Sequence, residues 1–208
     1  MSKKIIILIF IALISAFFII LSSRTKIQNT NILYPQTSAN RESLTKEPID
    51  NALARTTKKP FAIKISPNNS PVSPEKFSGY HTGADFETFL NEQEIDINIF
   101  AICTGKLLQK KYATGYGGVA VQECQVDNQD ITVIYGHLKL DSIATNPNQI
   151  INKGQKIGIL GQEYSSETDN ERKHLHLGIH KGKDINILGY TQDKDELKNW
   201  INPLTLIK

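Results

Sequence analysis

The chain has no Cys-x-x-Cys pair and no His-Glu-x-x-His segment, and it holds only two cysteines, one methionine and one tryptophan in 208 residues. The first absence excludes thiolate zinc clusters and thioredoxin-type redox centres. The second removes the glutamate base of helical zinc proteases. The only methionine is Met1, so the Met-Lys-Met-like turn of a lipoyl or biotinyl carrier hairpin is missing. That counts against a carrier domain, although Ile-x-x-Gly-Gln-x-Ile-Gly occurs here from Ile151 to Gly158. No internal repeat is visible. A net charge of +3 with 22% charged residues is too small to indicate nucleic acid, and no aromatic and basic interleaving forms a stacking platform. Such a balance would only favour approach to an anionic surface.

What is present begins with Lys3-Lys4 and an apolar run from Ile5 to Leu21. As a helix this run rises about 26 Å, nearly a bilayer core. The basic pair places the N-terminus in the cytoplasm and the rest outside. Residues 1–22 therefore read as a signal-anchor or a signal peptide. Arg24 directly follows Leu21-Ser22-Ser23, a poor cleavage context, and no cysteine ends the run for lipid attachment. The expectation is a single-pass membrane protein with its domain outside the cytoplasm, or a secreted one if the segment is cleaved. Residues 23–59 are rich in Ser, Thr, Asn and Lys without an apolar period, and read as a flexible tether. This leaves one domain, residues 60–208, large enough to bury a core.

In that domain apolar residues alternate or form short runs between turn residues. Strand candidates are Phe61–Ile65, Ile97–Cys103, Gly105–Tyr112, Val119–Val126, Ile131–Tyr135, Lys156–Leu160 and His174–His180. Only Lys194–Trp200 reads as a helix. Short strands at close spacing with Gly or Asn punctuation predict an all-β sandwich or barrel.

All five histidines, His81, His137, His174, His176 and His180, fall in this β region. In His174-Leu-His176 a strand points both imidazoles one way and Leu175 and Leu177 the other. Read alone, that pair is more often a solvated polar face than a metal pocket. In His81-Thr-Gly-Ala-Asp85 an imidazole and a carboxylate are both good zinc ligands; alone, the spacing also describes a turn with a surface Asp. Tyr135-Gly-His137-Leu ends an apolar strand, where the glycine allows close backbone approach; an edge histidine is the plain alternative. Together the three segments supply what a catalytic zinc needs: three protein ligands and an open position for water. His81, Asp85 and one histidine of the pair make that set. The remaining histidines are left to act on the water or on a developing oxyanion, and a zinc-activated water is a nucleophile at neutral pH.

His81/Asp85, Tyr-Gly-His137-Leu, Lys153-Gly-Gln-Lys-Ile-Gly-Ile-Leu-Gly161 and His174-Leu-His176, in this order and spacing, resemble the M23 family, the lysostaphin- and LytM-type endopeptidases of peptidoglycan. The resemblance covers about Pro60 to Leu204. It implies a compact antiparallel β fold with Zn2+ in a groove, held by His81, Asp85 and His176. It makes His137 and His174 the catalytic histidines and gives His180 no role. The implied activity is hydrolysis of peptide cross-links in the bacterial wall, with peptidoglycan peptide as partner. A catalytically silent relative that binds wall or activates another hydrolase is the alternative, and the complete motif set argues against it. One departure is the stretch before His174: residues 162–173 are longer and more charged than the short Gly/Ser/Thr turn of the family.

Cys103 and Cys124 flank the hairpin turn expected near Lys111–Gly117. In an exported protein they can pair, closing a loop of about 20 residues worth about 3 kcal/mol. Two small buried thiols are the alternative, since one residue of register slip would separate them.

Overall fold

Period-2 alternation decides which side chains meet in this chain, and eleven short strands carry it. In the computed structural model, residues 46–55 and 57–207 are described. The strands are β1 (Lys64–Ile65), β2 (Gly79–His81), β3 (Gly83–Glu87), β4 (Asn98–Phe100), β5 (Gly105–Ala113), β6 (Gly117–Val126), β7 (Gln129–Leu138), β8 (Ile150–Ile151), β9 (Lys156–Ile159), β10 (His174–Lys181) and β11 (Tyr190–Thr191). Every pairing among them is antiparallel. The six-stranded sheet has the order β3-β10-β7-β6-β5-β8, beside a three-stranded sheet β1-β2-β11 and the pair β4-β9. All helices among the described residues are short 3-10 segments. The expected helix at Lys194–Trp200 is one of them, over Lys194–Asn199.

One face of the large sheet packs the main core. Ala84 and Phe86 from β3, Val133 and Tyr135 from β7, and Leu175, Leu177 and Ile179 from β10 all lie in it. Each such large side chain contributes about 1.5–3 kcal/mol by leaving water. The opposite face of β10 is therefore left to His174 and His176, as alternation requires. β6 and β7 are joined by Asp127-Asn128, both with positive φ, the two-residue turn whose twist matches the flanking strands. Cys103 and Cys124 are disulfide-bonded with Cα atoms 6.2 Å apart, so the pairing reading holds over the thiol one.

Two expectations change. Order does not begin at Pro60, because the stretch assigned to a tether through Lys59 is packed from Lys46 onward. Ile49 is fully buried in the core and bridges Ile99. Arg55 is buried and forks onto Glu92 through Nη1 at 2.6 Å and Nη2 at 2.9 Å. Lys59 is buried as well. The apolar spacing of Ile49 to Ala54 is too weak and short to read as more than a turn or two of helix; a 3-10 turn does form over Ala52–Ala54. The second change concerns β2 and β3, which were not expected as strands. Gly83-Ala-Asp-Phe-Glu87 alternates perfectly, but all five residues are buried, so its polar face hides the pattern. The anchor or signal segment, residues 1–22, lies outside the described residues. Among the described residues no helix is long and apolar enough to cross a membrane.

Candidate metal centre

His81 ends β2, Asp85 sits in the middle of β3, and His176 faces Asp85 directly across the β3–β10 ladder. Their side chains meet at one point. His81 Nε2 lies 3.0 Å from His176 Nδ1 and 3.3 Å from Asp85 Oδ1, and His176 Nδ1 lies 3.1 Å from the same oxygen. For ligands bound at about 2.0 Å, a tetrahedral ion separates donor atoms by about 3.3 Å. The outer ring nitrogens explain the orientation. His81 Nδ1 is 3.3 Å from the Pro60 carbonyl, and His176 Nε2 is 3.3 Å from the Tyr116 hydroxyl. With hydrogens on those outer nitrogens, both inner nitrogens aim lone pairs at an ionised carboxylate. Such a triangle is poorly satisfied by hydrogen bonds and well satisfied by a cation. All three residues are buried, so the donor set and its spacing fit a metal ion.

The electrostatics agree. Burial pushes the Asp85 carboxyl up, but His174 and His81, and then the close contact with His176, hold it well below the usual carboxylate range. Burial brings His176 down to about 4, partly opposed by Asp85. The Asp85 carboxylate and the His176 imidazole are then in the protonation states that metal ligation needs.

Close packing around His176 depends on glycine at two places. A Cβ at Gly83 would stand 2.7 Å from His176 Cε1, and one at Gly136 would stand 2.4 Å from the Tyr116 ring. His137 reaches the site by another device. The β6–β7 register runs Gly118 to Leu138 and then Val119 to Gly136, so His137 is the extra residue of a bulge. Its φ is 62°, a left-handed conformation that is uncommon outside glycine. The bulge turns a strand-end side chain towards the metal centre. The His137 and His174 ring centroids are 4.2 Å apart. Burial, and secondarily His174, lower the His137 pKa well below its usual value. His174 Nδ1 donates to the Arg172 carbonyl at 2.8 Å, and its Nε2 lies 3.4 Å from Asp85 Oδ2.

The structure thus brings together five of the residues singled out in the sequence: His81, Asp85, His137, His174 and His176. His180 is apart, with its ring edge-on to Trp200 at 4.9 Å. Asp85, His137, His174 and His176 open onto a cavity of about 490 Å³, whose other walls include Tyr116 and Tyr190. Three charged residues were missed. Arg172 donates to Asp85 Oδ2 at 2.9 Å and grips Glu87. Lys59 Nζ lies 3.8 Å from Asp85 Oδ2 and donates to the Tyr190 hydroxyl at 2.8 Å. A sequence signal existed for two of them: Glu87 and Arg172 lie two residues from Asp85 and His174, and so share their faces. For Lys59, buried beside Pro60, there was none.

An antiparallel β fold with a buried His-Asp-His centre and two further histidines at its edge describes a protein with a candidate metal site. Residues 79–187 match peptidase family M23, and the chain belongs to that family. The fold is shared with the solved SpoIIIAH and SpoIIQ complex (16% identity, 77% of this chain, 98% of that chain, TM-score 0.51). Lower scores relate it to Csd3 of Helicobacter pylori (21% identity, 72% of this chain, TM-score 0.45). A zinc containing peptidase from Vibrio cholerae is similar at 22% identity, 70% of this chain and TM-score 0.48. The chain spans only 35% and 41% of those last two chains. No curated protein sequence matches it.

Proposed function

We infer that this chain is a zinc-dependent endopeptidase that hydrolyses peptide cross-links of bacterial peptidoglycan. The observation that carries this reading is the convergence of three ligand atoms at 3.0–3.3 Å on the floor of a cavity that His137 and His174 also line. His81, Asp85 and His176 would hold the ion. When bound, zinc supplies Lewis-acid activation of water at neutral pH.

The remaining steps belong to the protein. His174 is held with its Nδ1 hydrogen on the Arg172 carbonyl, so Nε2 faces the centre as a proton acceptor. His137 is kept neutral by burial, and a neutral imidazole can donate a hydrogen bond to an oxyanion without first losing a proton. Residues 1–22, if retained, would anchor the domain to the membrane within reach of the wall; if cleaved, they would release it outside the cell. Digestion of muropeptides of several chemotypes by the full chain, read by mass spectrometry, tests the reading. Cleavage at a peptide bond, abolished by a chelator and restored by zinc, is expected. Intact muropeptides at full zinc loading would instead favour a silent wall-binding relative.

A further inference from the structure

Arg172 lies in the segment where this chain departs from the short turn of its family, and it is placed unlike a surface arginine. Its Nε and Nη2 fork onto Glu87, with contacts of 2.6, 2.9 and 3.1 Å. The same Nη2 donates to Asp85 Oδ2 at 2.9 Å. Both the guanidinium and the Glu87 carboxylate are about nine-tenths buried. Nearby carboxylates, Asp85 first among them, raise the Arg172 pKa further despite its burial.

Buried ion pairs are a poor device for stability, because desolvation consumes most of their attraction. The spatial arrangement gives this one another use. Asp85 divides its two oxygens: Oδ1 faces the nitrogens of His81 and His176, and Oδ2 faces Arg172, Lys59 and His174. Strand alternation builds the pattern. Asp85 and Glu87 share one face of β3, opposite His176 and His174 of β10. Arg172 continues the same face two residues before His174 and reaches back across the ladder. Its carbonyl also takes the Nδ1 hydrogen of His174, so one residue fixes both a ligand and a neighbouring histidine.

We propose that Arg172, held by Glu87, is a positioning residue for the metal centre: it occupies Asp85 Oδ2 so that Asp85 offers only Oδ1 to the ion. The inference rests on the metal-binding reading above. Partners of metal ligands are typically worth 10–100-fold in metal affinity.

The test uses the full chain, stripped of metal and reloaded with zinc or with cobalt. The double variant Arg172→Gln/Glu87→Gln removes one charge of each sign and leaves the net charge unchanged, which separates positioning from the general field. Its zinc affinity, measured by chelator competition, is expected to fall about 10–100-fold. Its cobalt visible absorption is expected to weaken, as it does when coordination number rises through a second carboxylate oxygen. Arg172→Lys keeps the charge and loses the fork, and covers the case in which the double variant does not fold; an intermediate loss of affinity is expected. Wild-type zinc affinity and an unchanged cobalt spectrum in these variants overturn the proposal, even if melting of the metal-free protein drops. A wild-type chain that binds no zinc overturns the metal-binding reading itself, a distinct result.

Discussion

At the scale of single residues the centre is defined by protonation. Burial lowers His176 to about 4 and His137 well below its usual value, whereas an unfolded imidazole titrates near about 6.5. Between these values the unfolded chain binds more protons than the folded one, so stability rises with pH in that window. Above about 6.5 both states are neutral and these groups contribute nothing to the slope. The metal-free protein should therefore melt at a constant temperature from about pH 7 to 8 and progressively lower from about pH 6.5 towards 4.5. Melting scans in chelator across that range check this, and a melting temperature that rises on acidification contradicts it. Most of the centre was legible because its residues stand in short motifs whose spacing survives folding: two apart on a strand for His174 and His176, four apart around a glycine for His81 and Asp85. The position of His137 was legible as a motif but not as a mechanism, since a bulge with positive φ leaves no mark beyond Gly136.

At the scale of elements, residues 162–173 tie the walls of the cavity together. The segment is charged because its side chains have partners. Asp169 accepts from Gly115 N at 2.5 Å and from the Tyr112 hydroxyl at 2.7 Å, which clasps the β5–β6 hairpin. The Gly115 N–H, then Tyr112, keep the Asp169 carboxyl below its usual pKa. Lys173 enters a different nest, donating to the carbonyls of Gln93 and Ile95 at 2.9 and 2.8 Å. Asp169→Ala should cost about 1 kcal/mol of stability and leave zinc content unchanged. It should raise KM more than it lowers kcat, because the clasp shapes the groove and does not touch the centre. Steady-state kinetics beside metal analysis decide this; loss of zinc would show that the clasp reaches further. The strands themselves were read correctly where a long run carries apolar residues on both faces, as in β6 and β7, which send Ala120, Val133 and Tyr135 into the main core and Val119, Val121 and Ile134 into a second cluster. They were missed where both faces are buried and one is chemical, as in β3, or where two residues suffice, as in β8 and β11.

At the scale of the whole molecule, the folded unit includes chain that composition assigned to a tether. Ile49 fills the core, Ala52 packs beside it, and Arg55 and Lys59 bring buried charges to Glu92 and to the metal centre. A chain truncated at Pro60 should melt well below one that begins at Lys46, with about 2–3 kcal/mol lost from Ile49 alone. Coincident melting of the two would return residues 46–59 to the tether. In the same core, the Cys103–Cys124 bond pins β6 to the chain entering β5, a covalent tie suited to a domain outside the cytoplasm.

The central claim is the division of labour among five side chains, and zinc content of five alanine variants of the full chain tests it most directly. His81→Ala, Asp85→Ala and His176→Ala should lose the ion together with wall-lytic activity. His137→Ala and His174→Ala should retain most of the zinc while activity falls about 10²–10⁴-fold, the usual worth of one acid–base group. Loss of metal in His174→Ala with retention in His176→Ala would reverse their roles, and full activity in all five would contradict the mechanism.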